Sequence, residues 1–310
     1  MDTNINFGHF NSLYDLFEAF PNEESCIAYL ENKRWKDGKI ISPFDSTSKV
    51  YKRGDGMYRC KNTGKNFNVR IGTIFEGTKL PLRKWFVAIY LLCNHKKAIS
   101  STQLMKDIGV TLKTAWFMLH KIRRTFHVIH NIKLDGEVEL DETFVGGKNK
   151  NRHYNKKVQN SQGRSFKDKV PVLGMLERGG IVICKVVKDT SKKSLTPQIL
   201  KSVKRSATLY TDEWCGYDTV RKLYKTKMVD HGKGLYVVDD AYTNSIEGFW
   251  GNFCKRIVNA IYNHISQKYM QRYFDEFSFR YNTRKVNSKD RFEEVIINSY
   301  FRITQKQIVA

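Results

Sequence analysis

The chain has 310 residues, of which 41% are hydrophobic and 13% aromatic, and it carries a formal net charge of +23. That length and apolar content suffice to bury a core, which excludes wholesale disorder, and no apolar run approaches the ~20 residues of a membrane span. So large a positive excess repels itself in a compact fold, so a polyanion, with nucleic acid first, is the expected partner; a merely basic protein of the ribosomal kind is the alternative.

The charge is uneven. Residues 1–34 hold six acids and two bases, so the cationic surface belongs to the middle and end of the chain. Cys26, Cys60, Cys93, Cys184, Cys215 and Cys254 are scattered, with no CxxC pair. The N-terminus shows acids and aromatics in place of a basic start and an apolar h-region. The expectation is a cytoplasmic, nucleoid-associated protein with reduced thiols and no membrane partner.

Residues 1–36 predict two short helices: Phe10, Leu13, Leu16 and Phe17 fall at helical spacing, Pro21 interrupts, and Asn22-Glu23-Glu24 reads as a second start. Residues 37–78 change character. Lys49–Tyr51, Met57–Arg59 and Asn66–Arg70 are β-prone, separated by Gly54, Gly56 and Gly64, and predict a small ribbon. Residues 79–130 return to helix, with Trp85, Ile89, Leu92 and Cys93 as one apolar stripe. Ser101–Ile108, a Gly109-Val110 break and Thr111–Phe126 then form two helices joined by a tight turn. That is the layout of a helix-turn-helix, which would bring Thr111, Lys113 and Thr114 to base edges; plain helix packing is the alternative.

Residues 135–264 predict an α/β domain. Glu137–Val145 alternates as a strand, and Val170–Leu176 and Ile181–Val187 flank the hairpin signal Arg178-Gly179-Gly180. A helix over 193–204, a strand at Ala207–Thr211, a helix over Trp214–Tyr224, a strand at Tyr236–Val238 and a further helix complete the order, with more helices over 265–310. This order is that of a ribonuclease-H-like mixed sheet with flanking helices. A basic insertion, 146–169, follows the first strand. Its Lys148, Lys150, Arg152, Lys156 and Lys157 suit a phosphate-contacting arm, and a solvated loop is the alternative.

Two-metal phosphoryl transfer needs carboxylates from separate elements converging on two hard cations ~3.5–4 Å apart. Asp141 lies on the first strand with Glu139 and Thr143 on the same side, and competes with Glu139 and Glu142. Asp212 ends the strand from 207, where open α/β sheets build sites, and competes with Glu213 and Asp218. Glu247 borders the apolar face Ile246, Phe249, Trp250, Phe253, Ile257 and Ile261 of a helix, where it could also be an ordinary flank acid. Asn244 lies one turn before it and Lys255 two turns after. Thirty-four residues separate Asp212 from Glu247, room for helix, strand and helix.

With these residues in view, the chain resembles the DDE-type bacterial insertion-sequence transposases, in the branch with an ISXO-like transposase domain behind an N-terminal zinc ribbon. The stretches that carry the resemblance are Glu139–Lys148 (ELDETFVGGK), Tyr210–Tyr217 (YTDEWCGY), His231, Tyr242–Trp250 (YTNSIEGFW) and Tyr269–Asn282 (YMQRYFDEFSFRYN). The resemblance implies that Asp141, Asp212 and Glu247 hold two Mg²⁺ or Mn²⁺ ions, with His231, Asn244 and Lys255 in the site. It implies double-stranded DNA as partner, both terminal inverted repeats and target, contacted also by Arg256, and a homo-oligomer on that DNA. A DNA-binding protein without activity and a related metal nuclease are the competing readings. The chain departs from the family at the ribbon: the cysteine pairs read Ser42-Pro43-Phe44-Asp45 and Cys60-Lys61-Asn62-Thr63, so zinc is not expected.

Overall fold

The computed structural model describes residues 8, 10–35, 38–146, 153–159, 168–228 and 243–309. It divides into two units: Met1–Thr125 with Val286–Ala310, and Phe126–Lys285.

In the first unit α1 (Leu13–Ala19) and α2 (Glu23–Arg34) each begin with a reciprocal capping box, Ser12 with Asp15 and Asn22 with Ser25. These caps satisfy orphan backbone donors at each start and so fix where the helices begin. Three short strands follow, β1 (Val50–Lys52), β2 (Tyr58–Cys60) and β3 (Asn66–Phe67), paired antiparallel in that order. Their interior is aromatic: Tyr58 meets Trp35 edge-on at 5.1 Å and Phe67 at 5.7 Å. Where cysteine pairs would stand, a hydroxyl network does. The Asp45 carboxylate accepts from Asn62 Nδ2 at 2.8 Å and Thr47 Oγ1 at 2.7 Å, and Ser42 Oγ accepts from the Phe44 N–H at 3.1 Å. Burial raises the Cys60 thiol, but hydrogen bonds to Ser42, Ser48 and Thr63 more than offset this and bring it down to about 6.

Next come α3 (Leu82–Asn94), α4 (Ser101–Ile108) and α5 (Leu112–Arg123). Gly109 closes α4 in the left-handed region (φ 60°, ψ 60°), a conformation that costs glycine little. Thr111 caps α5 through the Thr114 N–H. Leu104, Ile108, Ala115, Leu119 and Ile122 are buried and Val110 only half-buried, because it stands in the turn.

The second unit holds a five-stranded mixed sheet: β4 (Glu137–Val145), β5 (Val170–Glu177), β6 (Val182–Val186), β7 (Thr208–Thr211) and β8 (Lys225–Met228), ordered β6-β5-β4-β7-β8. β4, β5 and β6 are antiparallel neighbours, whereas β7 and β8 run parallel to β4. The parallel strands need crossovers, and α6 (Lys192–Ser202) supplies the first. This topology is consistent with a ribonuclease-H-like domain. One face of the sheet packs Leu140, Leu173, Leu195, Ile199, Leu209 and Tyr217 into a core.

Two expectations change. The helix over Trp214–Tyr224 is a 3₁₀ turn, Cys215–Tyr217, followed by the short α7 (Asp218–Arg221). The Arg221 guanidinium bonds the Asp212 and Trp214 carbonyls and so ties this stretch into a tight turn. Among the described residues the sheet also ends in β8, where no strand was expected. The strand predicted at Tyr236–Val238, His231, and the cations Lys148, Lys150 and Arg152 lie outside the described residues.

After the sheet come α8 (Asn244–Phe249), two π-helical stretches, Trp250–Lys255 and Val258–Tyr262, and α9 (Met270–Asn282) against β6. The last helices, α10 (Ser288–Ile297) and α11 (Gln305–Val309), belong to the first unit. Among the described residues no helix is long and apolar enough to cross a membrane.

Candidate active site

Strand alternation sends Glu139, Asp141 and Thr143 to one face of β4. The parallel register pairs Val138 with Leu209 and Glu139 with Tyr210. The ladder stops there, β7 ends at Thr211, and Asp212 follows it immediately. Glu247 comes from α8, which lies over the same face of β4 and β5. Asp141, Asp212 and Glu247 all line one cleft of about 470 Å³, together with Glu142, Thr143, Thr243, Trp250 and Lys255.

The electrostatics agree with convergence. Burial, and then the nearby charges of Asp212 and Glu247, raise the Asp141 carboxyl to about 6, although a Glu142 backbone hydrogen bond and the Trp250 indole oppose the rise. A cation bound beside Asp141 would lower this raised affinity for its proton again. The donor set is all oxygen, which suits hard divalent cations. Among the described residues no three Asp, Glu, His or Cys side chains are grouped closely enough to hold a metal ion, so the three acids share a cleft without forming a ligand cluster.

The competing acids have other partners. Glu139 is fully buried; it accepts from Arg178 Nε at 2.9 Å and from the Ile246 N–H at 2.9 Å, near the start of α8. Arg178 also lies 3.7 Å from the Tyr210 ring centroid. Glu142 accepts from the buried Tyr217 hydroxyl. Asp218 pairs with Lys192 and Arg221, and Glu213 is exposed and away from the cleft lining.

Trp250 Nε1 donates to Asp141 Oδ2 at 3.0 Å. The apolar spacing marked Trp250 only as core, so this bond went unseen in the sequence. The π-turn beginning at Trp250 bears on Lys255 too. In a continuous α-helix residue 255 would stand about 80° round from residue 247; i→i+5 bonding winds less per residue and removes much of that offset. Lys255 accordingly reaches the cleft that Glu247 lines, whereas Asn244 is exposed and outside its lining. The altered phase also buries Cys254 and leaves Phe253 and Ile261 half-exposed.

Of the other cations, Lys113, Lys157 and Arg256 are exposed, Lys156 belongs to a 3₁₀ turn, Tyr154–Lys156, and Thr111 and Thr114 are engaged with each other at the start of α5.

Residues 133–282 match a family model described as the ISXO2-like transposase domain, a span that contains Asp141, Asp212 and Glu247. The chain is also similar to a Halobacterium salinarum protein described as an uncharacterized protein in transposable element ISH50. The two are 27% identical over 246 residues, covering 74% of this chain and 81% of the relative. Both findings support an insertion-sequence transposase.

Proposed function

We propose that the protein binds the ends of an insertion sequence and catalyses metal-dependent DNA strand cleavage and strand transfer. The observation that carries this reading is the meeting of Asp141, Asp212 and Glu247, from β4, the end of β7 and α8, in one cleft. Mg²⁺ or Mn²⁺ ions held by these carboxylates would supply Lewis-acid activation of the attacking and leaving oxygens.

The chain's own residues do the rest. Lys255, on the cleft wall, offers its ammonium to a phosphate oxygen and balances part of the acid charge. Trp250 and the Glu142 backbone hold Asp141 in place, and Tyr217 keeps Glu142 turned to its own face of β4. His231 and Asn244 enter this proposal from the family resemblance alone.

The helix pair α4–α5 acts as a helix-turn-helix, with Thr111, Lys113 and Thr114 at the DNA. The three-stranded ribbon and the cations of 146–169, with Arg256, contact phosphates and set register without reading bases. Terminal repeats and target DNA are then the partners, and two ends are processed together by an oligomer.

Strand cleavage by purified protein on DNA carrying the element's own termini tests this. Asp141→Asn is expected to abolish Mg²⁺-dependent cutting and to leave end binding intact. Full cutting by that variant would discard the assignment, and end binding without cutting by the wild type would leave a DNA-binding protein.

A further inference from the structure

We propose that Trp250 is the positioning residue for Asp141, and that Gly174 is glycine because any side chain there would evict the indole. The inference rests on the metal-site reading above.

Asp141 faces Gly174 directly across the β4–β5 ladder. A Cβ built on Gly174 would stand 2.4 Å from Cζ2 and 2.7 Å from Cη2 of Trp250, and 2.9 Å from Cδ1 of Ile246. The two nearest atoms belong to a rigid ring that is only 3% exposed, so there is no flexible end to swing away. Glycine weakens a strand interior, and its use here fits a close approach rather than pairing. The missing side chain opens a socket over β5, and the indole fills it. From that socket its N–H reaches one strand over to Asp141 at 3.0 Å.

Packing alone would be met by any large apolar ring. What a ring without an N–H would not supply is a donor for a carboxylate that stands beside Asp212 and Glu247 in the same cleft. Without the indole only the Glu142 backbone bond, among the described residues, opposes those charges, and the Asp141 side chain turns more readily toward solvent rotamers. With it, the carboxylate stays beside its neighbours before any cation arrives. Donors that orient a metal ligand from behind contribute about tenfold to a hundredfold in affinity. The π-turn that starts at Trp250 belongs to the same device, since it changes the winding between the residue that holds Asp141 and the residue, Lys255, that reaches the cleft.

The test separates the N–H from the ring. Trp250 is replaced site-specifically by 3-benzothienylalanine, which keeps the bicyclic shape and puts sulfur where the N–H stood. Mn²⁺ binding to the full chain is read from the paramagnetic resonance of unbound Mn²⁺, and thermal unfolding is recorded alongside. The expected result is an about tenfold weaker Mn²⁺ affinity with little change in the unfolding temperature. Trp250→Phe should show the same loss with a lower unfolding temperature, and Gly174→Ala should weaken Mn²⁺ binding although it leaves every acid in place. Wild-type affinity in the benzothienylalanine protein, together with loss of binding in Asp141→Asn, would overturn the positioning role alone. Mn²⁺ binding that Asp141→Asn leaves unchanged would overturn the metal-site reading itself.

Discussion

Replacing Glu139 and replacing Asp141, two residues apart on one face of β4, should move stability in opposite directions. Glu139 is fully buried and holds both Arg178 and the Ile246 N–H. Glu139→Gln removes one partner of a buried ion pair, a change that costs about 3–5 kcal/mol. Arg178 keeps its contact with Glu137, which places the loss near 3 kcal/mol. Asp141 is the reverse case. Its carboxyl rises from 3.8 to about 6, through burial first and then through Asp212 and Glu247. The unfolded chain releases that proton about two pH units lower, so at pH 7 the ionised group destabilises the metal-free fold by about 3 kcal/mol. Asp141→Asn removes this cost and keeps an oxygen for the Trp250 N–H. After allowing for the weakened Glu142 backbone bond, the variant should gain about 1–3 kcal/mol. The sign fixes the pH window. Between 4 and 6 the folded state holds the extra proton, so wild-type stability relative to Asp141→Asn falls as pH rises through that range, and the gap closes below 4. Urea unfolding in EDTA at pH 4 and pH 7 measures both variants. Millimolar Mg²⁺ should then raise the wild type and leave Asp141→Asn unchanged. An Asp141→Asn protein less stable than wild type at pH 7 without metal, or a gap that ignores pH, would refute the electrostatic reasoning.

Three further outcomes are expected. Gly174→Ala overpacks the indole socket and should lose about 1–3 kcal/mol, whereas Gly248→Ala, whose added carbon meets nothing within 4 Å, should gain about 0.5–1 kcal/mol of helix propensity; equal urea midpoints would contradict the close approach. Dialysis against EDTA should leave the unfolding of the ribbon unchanged, and metal analysis should find no stoichiometric zinc, because Cys60 with hydroxyl neighbours offers one thiolate where a structural site uses four ligands. Lys113→Ala should lower the slope of log affinity against log salt by about one on DNA of any sequence if Lys113 meets phosphate; an unchanged slope removes it from the interface.

Most of the sheet was legible in the sequence from its alternating and apolar stretches and their turn residues, although burial along β4 and β5 is more continuous than strict alternation. Glu137–Val145 alternates and forms β4 with those bounds, and the Arg178-Gly179-Gly180 turn joins β5 to β6. The miss was β8. Lys225-Thr226-Lys227-Met228 is the outermost strand of the sheet among the described residues, and lysine-rich strands of this kind lack the apolar signal that pattern reading needs. The helix over Trp214–Tyr224 went wrong for a different reason: Arg221 bonds backbone carbonyls of the Asp212–Trp214 turn, a tertiary demand invisible to local spacing. At the site, residue types and element order brought Asp141, Asp212 and Glu247 forward. The sequence left Glu139 and Glu142 as rivals, since five consecutive residues carry three acids and only the partners of each tell them apart.

Those partners follow a rule of placement. On β4 the acids with donors to satisfy them, Glu139 with Arg178 and Glu142 with Tyr217, are tied into the fold. Asp141 faces two other acids and, among the described residues, has a backbone amide and an indole to steady it. A fold selected for stability alone would pair that charge or remove it. Keeping it raised and only partly satisfied costs the metal-free protein stability, a cost that a cation held as proposed would recover. Glu139 bears on both sides of this balance: its bond to the Ile246 N–H anchors the start of α8, the helix that carries Glu247 and leads into Trp250. Loss of Glu139 should therefore weaken Mn²⁺ binding as well as the fold, although Glu139 does not line the cleft. A Glu139→Gln protein that is destabilised yet binds Mn²⁺ with wild-type affinity would separate the anchor of α8 from the geometry of the acids.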